Sequence, residues 1–191
     1  MIYHGRKIRD CSRKCKECSK NWKTAGVSEV SVIAVLQGKD AFLSQPTGVG
    51  KSLVYQMLPF AVEKLLGHED MFVLVVSSLV SLIRDQTMIL KKLGIAYFCL
   101  SSDDGRPVTI KDLKDGCPRI IFASPEALLH TYRYVMRHKD IQQRLAAVVV
   151  DESHCIVKWY ELFISNPTKS FICSSSVQFL HFKFHQHTTL K

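Results

Sequence analysis

Two short runs in this 191-residue chain gather residue types that handle phosphate and divalent metal. The first is Gln45-Pro46-Thr47-Gly48-Val49-Gly50-Lys51-Ser52, between an apolar strand-like segment and a helix-like one. Glycines at 48 and 50 let the backbone turn so that successive N–H groups face one anion. A helix starting there adds the positive end of its dipole. Lys51 reaches the outer phosphates as a point charge, and Ser52 offers its hydroxyl to Mg²⁺. The general phosphate-loop pattern opens on Gly or Ala, and this chain has Gln45 there. The strand-loop-helix setting supports the assignment, with Thr47, Gly48, Val49, Gly50, Lys51 and Ser52 as the nucleotide-binding set. A chance glycine turn before a helix would leave the Lys-Ser pair unexplained.

The second run is Val148-Val149-Val150-Asp151-Glu152-Ser153-His154, two carboxylates just past an apolar strand. About one hundred residues downstream of a phosphate loop, an Asp in this place holds Mg²⁺, and the following Glu orients or deprotonates an attacking water. Taken alone, acids at a strand end are often there only because they meet water. Paired with the phosphate loop they make Lys51, Asp151, Glu152 and His154 the expected catalytic set, with Ser52 and Asp151 on the metal. His154 alone also reads as a surface imidazole.

These groups need elements to hold them at one edge. The chain alternates helix-like and strand-like segments from residue 28 to 152. A helix over 28–37 has Ser28 as its expected cap and Gly38 as its end, and a short strand AFLS (41–44) follows. SLVYQMLPFAVEKLLG is a helix closed by Gly67, and MFVLVVS (71–77) is a buried strand. LVSLIRDQTMILKKLG is a helix closed by Gly94, and IAYFCLS (95–101) is a strand. TIKDLKDG is a short helix, RIIFAS (119–124) a strand, and PEALLHTYRYVMRHKDIQQRL a helical stretch in two pieces. AAVVVDE (146–152) is the last strand. Such alternation means βαβ units, so the expected fold class is α/β, with a parallel sheet covered by helices on both faces. Ligands bind at the carboxyl ends of strands in such sheets.

The combined pattern resembles superfamily 2 helicases and, within them, the RecQ family. PTGVGKSLVYQMLPF looks like that family's motif I. VVSSLVSLIRDQ (75–86) looks like motif Ia, with Ser78 where Pro is usual. ASPEALL (123–129) looks like the later DNA-contacting motif, and DESHCIVKW (151–159) looks like motif II, with Ser153 where Ala is commoner. The resemblance covers roughly residues 25–159 and implies a P-loop RecA-like domain. It also implies a 3′→5′ DNA-unwinding ATPase using ATP and Mg²⁺, and family roles in DNA repair and recombination. Lys51 and Ser52 would hold phosphates and metal, Asp151 the metal and Glu152 the attacking water, while His154 would couple hydrolysis to DNA. Ser77, Ser78, Arg84, Ser124 and Pro125 would contact the DNA, a backbone contact tolerant of sequence and sensitive to salt.

The departures are specific. Where the family has a Gln that reads adenine, Ser28 stands, and Ser cannot make that bidentate contact. After Phe163, Ile164 takes the place of an expected Arg. Motors of this kind use two RecA-like domains, and the second supplies arginines worth about 10³–10⁵ in rate. The 32 residues after Trp159 cannot hold one. The expected organisation is a basic, Cys-containing leader at 1–24, one ATP-binding domain at 25–163 and a tail of unknown structure at 164–191, so that the termini are irregular extensions. The competing reading is a one-domain protein that binds nucleotide or DNA without turnover.

Composition bounds the alternatives. The formal net charge is +9, yet residues 1–24 carry eight Lys/Arg against two acids, and residues 25–163 carry fifteen of each. Bulk charge therefore gives the core no argument for nucleic acid. With 47% apolar and 23% charged residues the composition is globular. No run of about 18 apolar residues marks a membrane span. The leader lacks the apolar stretch of a secretory signal. An intracellular and, through the resemblance, nuclear location is expected. Seven cysteines at irregular spacing suggest free thiols in a reducing compartment. Cys11, Cys15 and Cys18 read foremost as free thiols in a Lys-rich leader. Zinc with His4 as a fourth ligand is the second reading and an iron–sulfur cluster the third.

Overall fold

A computed structural model of the chain describes residues 26–37, 39, 41–44, 50–67, 69–100, 107–151 and 177–182. The order is α1 (Gly26–Leu36), β1 (Ala41–Ser44), α2 (Lys51–Leu66), β2 (Phe72–Val76), α3 (Val80–Lys92), β3 (Tyr97–Leu100) and α4 (Ile110–Asp115). It continues with β4 (Ile120–Ala123), α5 (Pro125–Leu129), α6 (Arg133–Arg137), α7 (Lys139–Arg144), β5 (Leu145–Val150) and β6 (Val177–Phe182).

Six strands form one sheet in the order β1-β6-β5-β2-β4-β3. β5, β2, β4 and β3 pair in parallel. Every residue of β2 is buried, which explains its unbroken apolar run FVLVV: a strand covered on both faces has no polar side to show. Alternate residues feed two cores. Val73, Val75, Ile120, Phe122, Ala147 and Val149 pack with α1, α2 and α3 through Val35, Leu58 and Leu90. Leu74, Val76, Ile121, Ala123 and Val150 pack on the opposite face with α4 to α7 through Leu113, Ala127, Tyr132 and Ile141. This is the α/β, RecA-like arrangement of a parallel sheet with helices on both faces.

Local chemistry sets the helix ends. Gly67 takes a left-handed φ of 70° to close α2, and Gly94, φ 67°, follows the end of α3. Thr109 and Asp112 form a reciprocal capping box that starts α4. Three details differ from expectation. Helix α1 begins at Gly26, so Ser28 lies inside its first turn and not at its cap. The stretch expected as two helical pieces is three, broken at His130–Tyr132 and at His138. Within the tail, where no strand pattern was legible, Val177–Phe182 forms β6, antiparallel to both of its neighbours. VQFLHF does not alternate strictly between apolar and polar residues, so it gives little warning of a strand.

Candidate functional site

Parallel pairing does the first part of the assembly. Val76 is in register with Ala123 on one side and Val150 on the other. The next residues, Ser77, Ser124 and Asp151, therefore line up along one carboxyl edge. Backbone bonds hold that row: Asp151 N–H donates to Val76 O at 2.9 Å, and Ser77 N–H to Ala123 O at 3.1 Å. Phe42 of β1 and Val150 of β5 share Phe179 as their β6 partner. β1 thus runs in the same direction as β5 and ends at Ser44, on the edge that carries Asp151. One strand separates the two, so their axes lie about 10 Å apart. Lys51 and Ser52 open α2, whose cap residue Gly50 has a φ of 87°. That conformation favours glycine and sets the backbone that enters the helix.

One turn past Lys51, α2 also carries a side chain that belongs to the motif I run PTGVGKSLVYQMLPF but had no chemical role assigned to it. Tyr55 is fully buried, and no hydrogen bond of good geometry reaches its hydroxyl. Burial first, and then the negative charge of Asp151, push the phenol far above its ordinary range, while the nearby Ser52 hydroxyl opposes the shift. Ser52 therefore neighbours the Tyr55 hydroxyl, and the charge of Asp151 is felt there. Asp151 itself is only 8% exposed. A hydroxyl, a carboxylate and an orphaned buried phenol are a set of oxygen donors that suits a hydrated Mg²⁺, which takes few protein ligands and keeps its waters. The set fits that ion: Ser52 and Asp151 can supply ligands, and Tyr55 can receive a hydrogen bond from, or donate one to, a metal-held water.

Ser52 has a second neighbour. Gln86 of α3 donates from Nε2 to Ser52 Oγ at 3.4 Å, and Gln56 Nε2 donates to Gln86 Oε1 at 2.9 Å. Gln56 and Gln86 are both buried. In sequence both fall within the runs that carry the resemblance, Gln56 in PTGVGKSLVYQMLPF and Gln86 at the end of VVSSLVSLIRDQ, but neither run shows that the two amides meet.

The residues expected to meet DNA divide into two groups. Ser78 is half-buried and Arg84 exposed. Ser124 is half-buried, and its hydroxyl accepts from Ala127 N–H to cap α5. Ser77 is 2% exposed, with its Oγ accepting from Leu79 N–H, and Pro125 is buried at the first turn of α5. The side chains of Ser77 and Pro125 are thus buried at that edge. Thr47, Gly48, Val49, Glu152, His154, Phe163, Ile164 and the cluster Cys11, Cys15 and Cys18 lie outside the described residues. Cys99 and Cys117 are free thiols. Among the described residues no group of His, Cys, Asp and Glu is arranged as a metal cluster, and no helix is long and apolar enough to cross a membrane.

Comparison with known proteins agrees with this geometry. The pattern of the DEAD/DEAH box helicase family matches residues 28–181. RecQ-like DNA helicase blm-1 of Caenorhabditis elegans is 38% identical over 145 residues, 72% of this chain and 14% of that relative. ATP-dependent DNA helicase hus2/rqh1 of Schizosaccharomyces pombe is 37% identical over 136 residues, 68% of this chain and 10% of the relative. ATP-dependent DNA helicase Q1 of Rattus norvegicus is 34% identical over 136 residues, 68% of this chain and 21% of the relative. The chain therefore spans about a tenth to a fifth of the length of these relatives.

Proposed function

The chain belongs to the DEAD/DEAH box helicase family, and on that premise we propose that it binds ATP with Mg²⁺ as the nucleotide-binding domain of a RecQ-type DNA helicase. The observation that carries the reading is the register that sets Asp151 on the carboxyl edge toward which β1 runs, with Lys51 and Ser52 opening the helix that follows β1. In this reading Lys51 and the N–H groups of residues 47–52 hold the phosphates. Ser52 and Asp151 hold the Mg²⁺, which neutralises charge on the phosphate oxygens. Glu152 orients the attacking water, and His154 links that step to the DNA-facing edge. Ser78, Arg84 and Ser124 offer the surface along which a DNA backbone lies. The parent activity is 3′→5′ unwinding, in the nucleus, in repair and recombination.

Two measurements on the purified chain test this reading. Titration with a fluorescent ATP analogue is expected to show Mg²⁺-dependent binding that Lys51→Ala removes, with melting temperature unchanged. ATP turnover with and without single-stranded DNA then separates hydrolysis from binding alone. Absence of analogue binding by the wild-type chain sinks the reading. Binding without any DNA-stimulated turnover reduces it to a nucleotide-dependent binding domain.

A further inference from the structure

The amide of Gln86 lies between the helix that opens at Lys51 and the helix that leaves the Ser77–Ser78 strand end. Gln56 donates to its oxygen at 2.9 Å, and its nitrogen donates to Ser52 Oγ at 3.4 Å. Both glutamines are buried, at 5% and 9% exposure, so neither amide swings freely into water. With the Gln56 N–H₂ on the Gln86 oxygen, the Gln86 nitrogen is the end presented to Ser52. A serine hydroxyl has one hydrogen to give and two lone pairs to offer. With one lone pair taken by Gln86, the remaining lone pair and the O–H are restricted in direction. The Tyr55 hydroxyl neighbours Ser52, and the charge of Asp151 reaches it. The relay thus restricts which way Ser52 can offer an oxygen to a cation.

We propose that Gln86 is a positioning residue that aims the Ser52 hydroxyl at the Mg²⁺ of a bound nucleotide, with Gln56 holding Gln86 in the donating sense. The proposal rests on the nucleotide-binding reading above. It acts through Ser52 and requires no contact between Gln86 and nucleotide. A partner that orients a metal ligand alters metal affinity without altering the ligand itself. The effect of removing it is therefore confined to the part of nucleotide binding that needs the metal.

The test uses the whole chain, a fluorescent ATP analogue, and titrations in Mg²⁺ and in EDTA. Gln86→Leu removes the donor to Ser52 but strands the Gln56 amide in the core. The double variant Gln56→Leu, Gln86→Leu removes both polar partners together, which preserves an apolar, similarly sized packing and provides a folded comparison. A circular-dichroism melt establishes which variants fold. In EDTA the double variant is expected to bind the analogue as the wild type does. In Mg²⁺ it is expected to need about ten-fold more metal for half-maximal binding, in line with the loss of a ligand-orienting partner. A folded double variant whose Mg²⁺ requirement matches wild type overturns the proposal, as does an equal loss in Mg²⁺ and in EDTA, which marks a purely structural role. Failure of the wild-type chain to bind the analogue at all instead overturns the nucleotide reading and takes the proposal with it.

Discussion

The phenol of Tyr55, on α2, lies within electrostatic reach of the carboxylate of Asp151, just past the end of β5, and that charge raises the Tyr55 pKa beyond what burial does alone. A buried hydroxyl without a partner destabilises a fold by about 1–3 kcal/mol. Tyr55→Phe removes that hydroxyl and leaves the ring, which packs edge-on against Phe122 with centroids 6.3 Å apart. The nucleotide-free variant is therefore expected to be as stable as wild type or more stable by up to about 1 kcal/mol. Its Mg²⁺-dependent nucleotide binding is expected to weaken. Paired denaturation and analogue-binding curves check both halves. Loss of stability in the free protein would mean that the hydroxyl is already satisfied.

Much of the edge that carries Asp151 was legible because its strands are. FVLVV and LAAVVV are continuous runs of the residue types that fill doubly covered strands, and the carboxyl-edge rule then points to the strand ends where Ser77, Ser124 and Asp151 lie. The Lys51-Ser52 pair marked the start of α2 for the same local reason. What stayed hidden depends on distant partners. Gln56 and Gln86 are 30 residues apart, and nothing in either helix says that the two amides meet. The resemblance set Ser77 among the DNA contacts, and only the structure shows that its hydroxyl accepts from Leu79 N–H. β6 was illegible because its pairing with β1 and β5 joins segments far apart in the chain, and its own residues carry no turn signals around a regular period.

Gly50 gives a backbone test of the same region. Its φ of 87° is one that side-chain-bearing residues rarely adopt, although a Cβ there would meet only Leu53 Cβ, at 4.0 Å. Gly50→Ala is therefore strained by conformation and not by collision, at a cost of about 1–3 kcal/mol. Part of that strain is relieved if the loop moves, so nucleotide affinity is expected to fall even where the melting temperature falls only modestly. Isothermal titration and a thermal melt of the same preparation check this. Unchanged affinity would mean that the turn is not needed to present the N–H groups.

Asp140 offers a pH test away from the site. The Lys114 side chain hydrogen-bonds it and holds its carboxyl below the usual range, and the charges of Lys114 and His138 add to the effect. A carboxylate whose folded pKa is depressed contributes stability above its unfolded value and loses it as pH falls through the folded one. Both side chains are well exposed, so the pair is screened and its contribution small. Carbon-detected NMR titration is expected to place the Asp140 midpoint on the acid side of an ordinary Asp, and Lys114→Met is expected to move it back up. No movement would show that the pair does not persist in solution.

Arg119 tests whether stability and nucleotide binding can be separated. It stands before β4, at the amino edge of the sheet, where its N–H donates to Ala96 O at 2.8 Å and its carbonyl accepts from Val73 N–H at 3.0 Å. Its guanidinium lies 5.5 Å from the centroid of the Phe60 ring, and Nη1 approaches Glu63 Oε2 at 2.7 Å. That approach is an ion pair and not a well-directed hydrogen bond, since Nη1 is also buried without a properly aligned acceptor. The pair ties the later turns of α2 to the sheet edge opposite Ser77 and Asp151. Glu63→Ala is expected to lower stability by about 0.5–1 kcal/mol, since the partly exposed ion pair is lost while the cation–π contact remains. The loss should shrink in high salt, because screening already weakens the pair in the parent. Nucleotide affinity should not change, because the first turn of α2 is held independently by its contacts to α3 and the strand ends. Denaturant curves at two salt concentrations, with analogue binding alongside, decide the matter. A fall in nucleotide affinity as large as the fall in stability would mean that α2 moves as one rigid lever from Glu63 to Ser52.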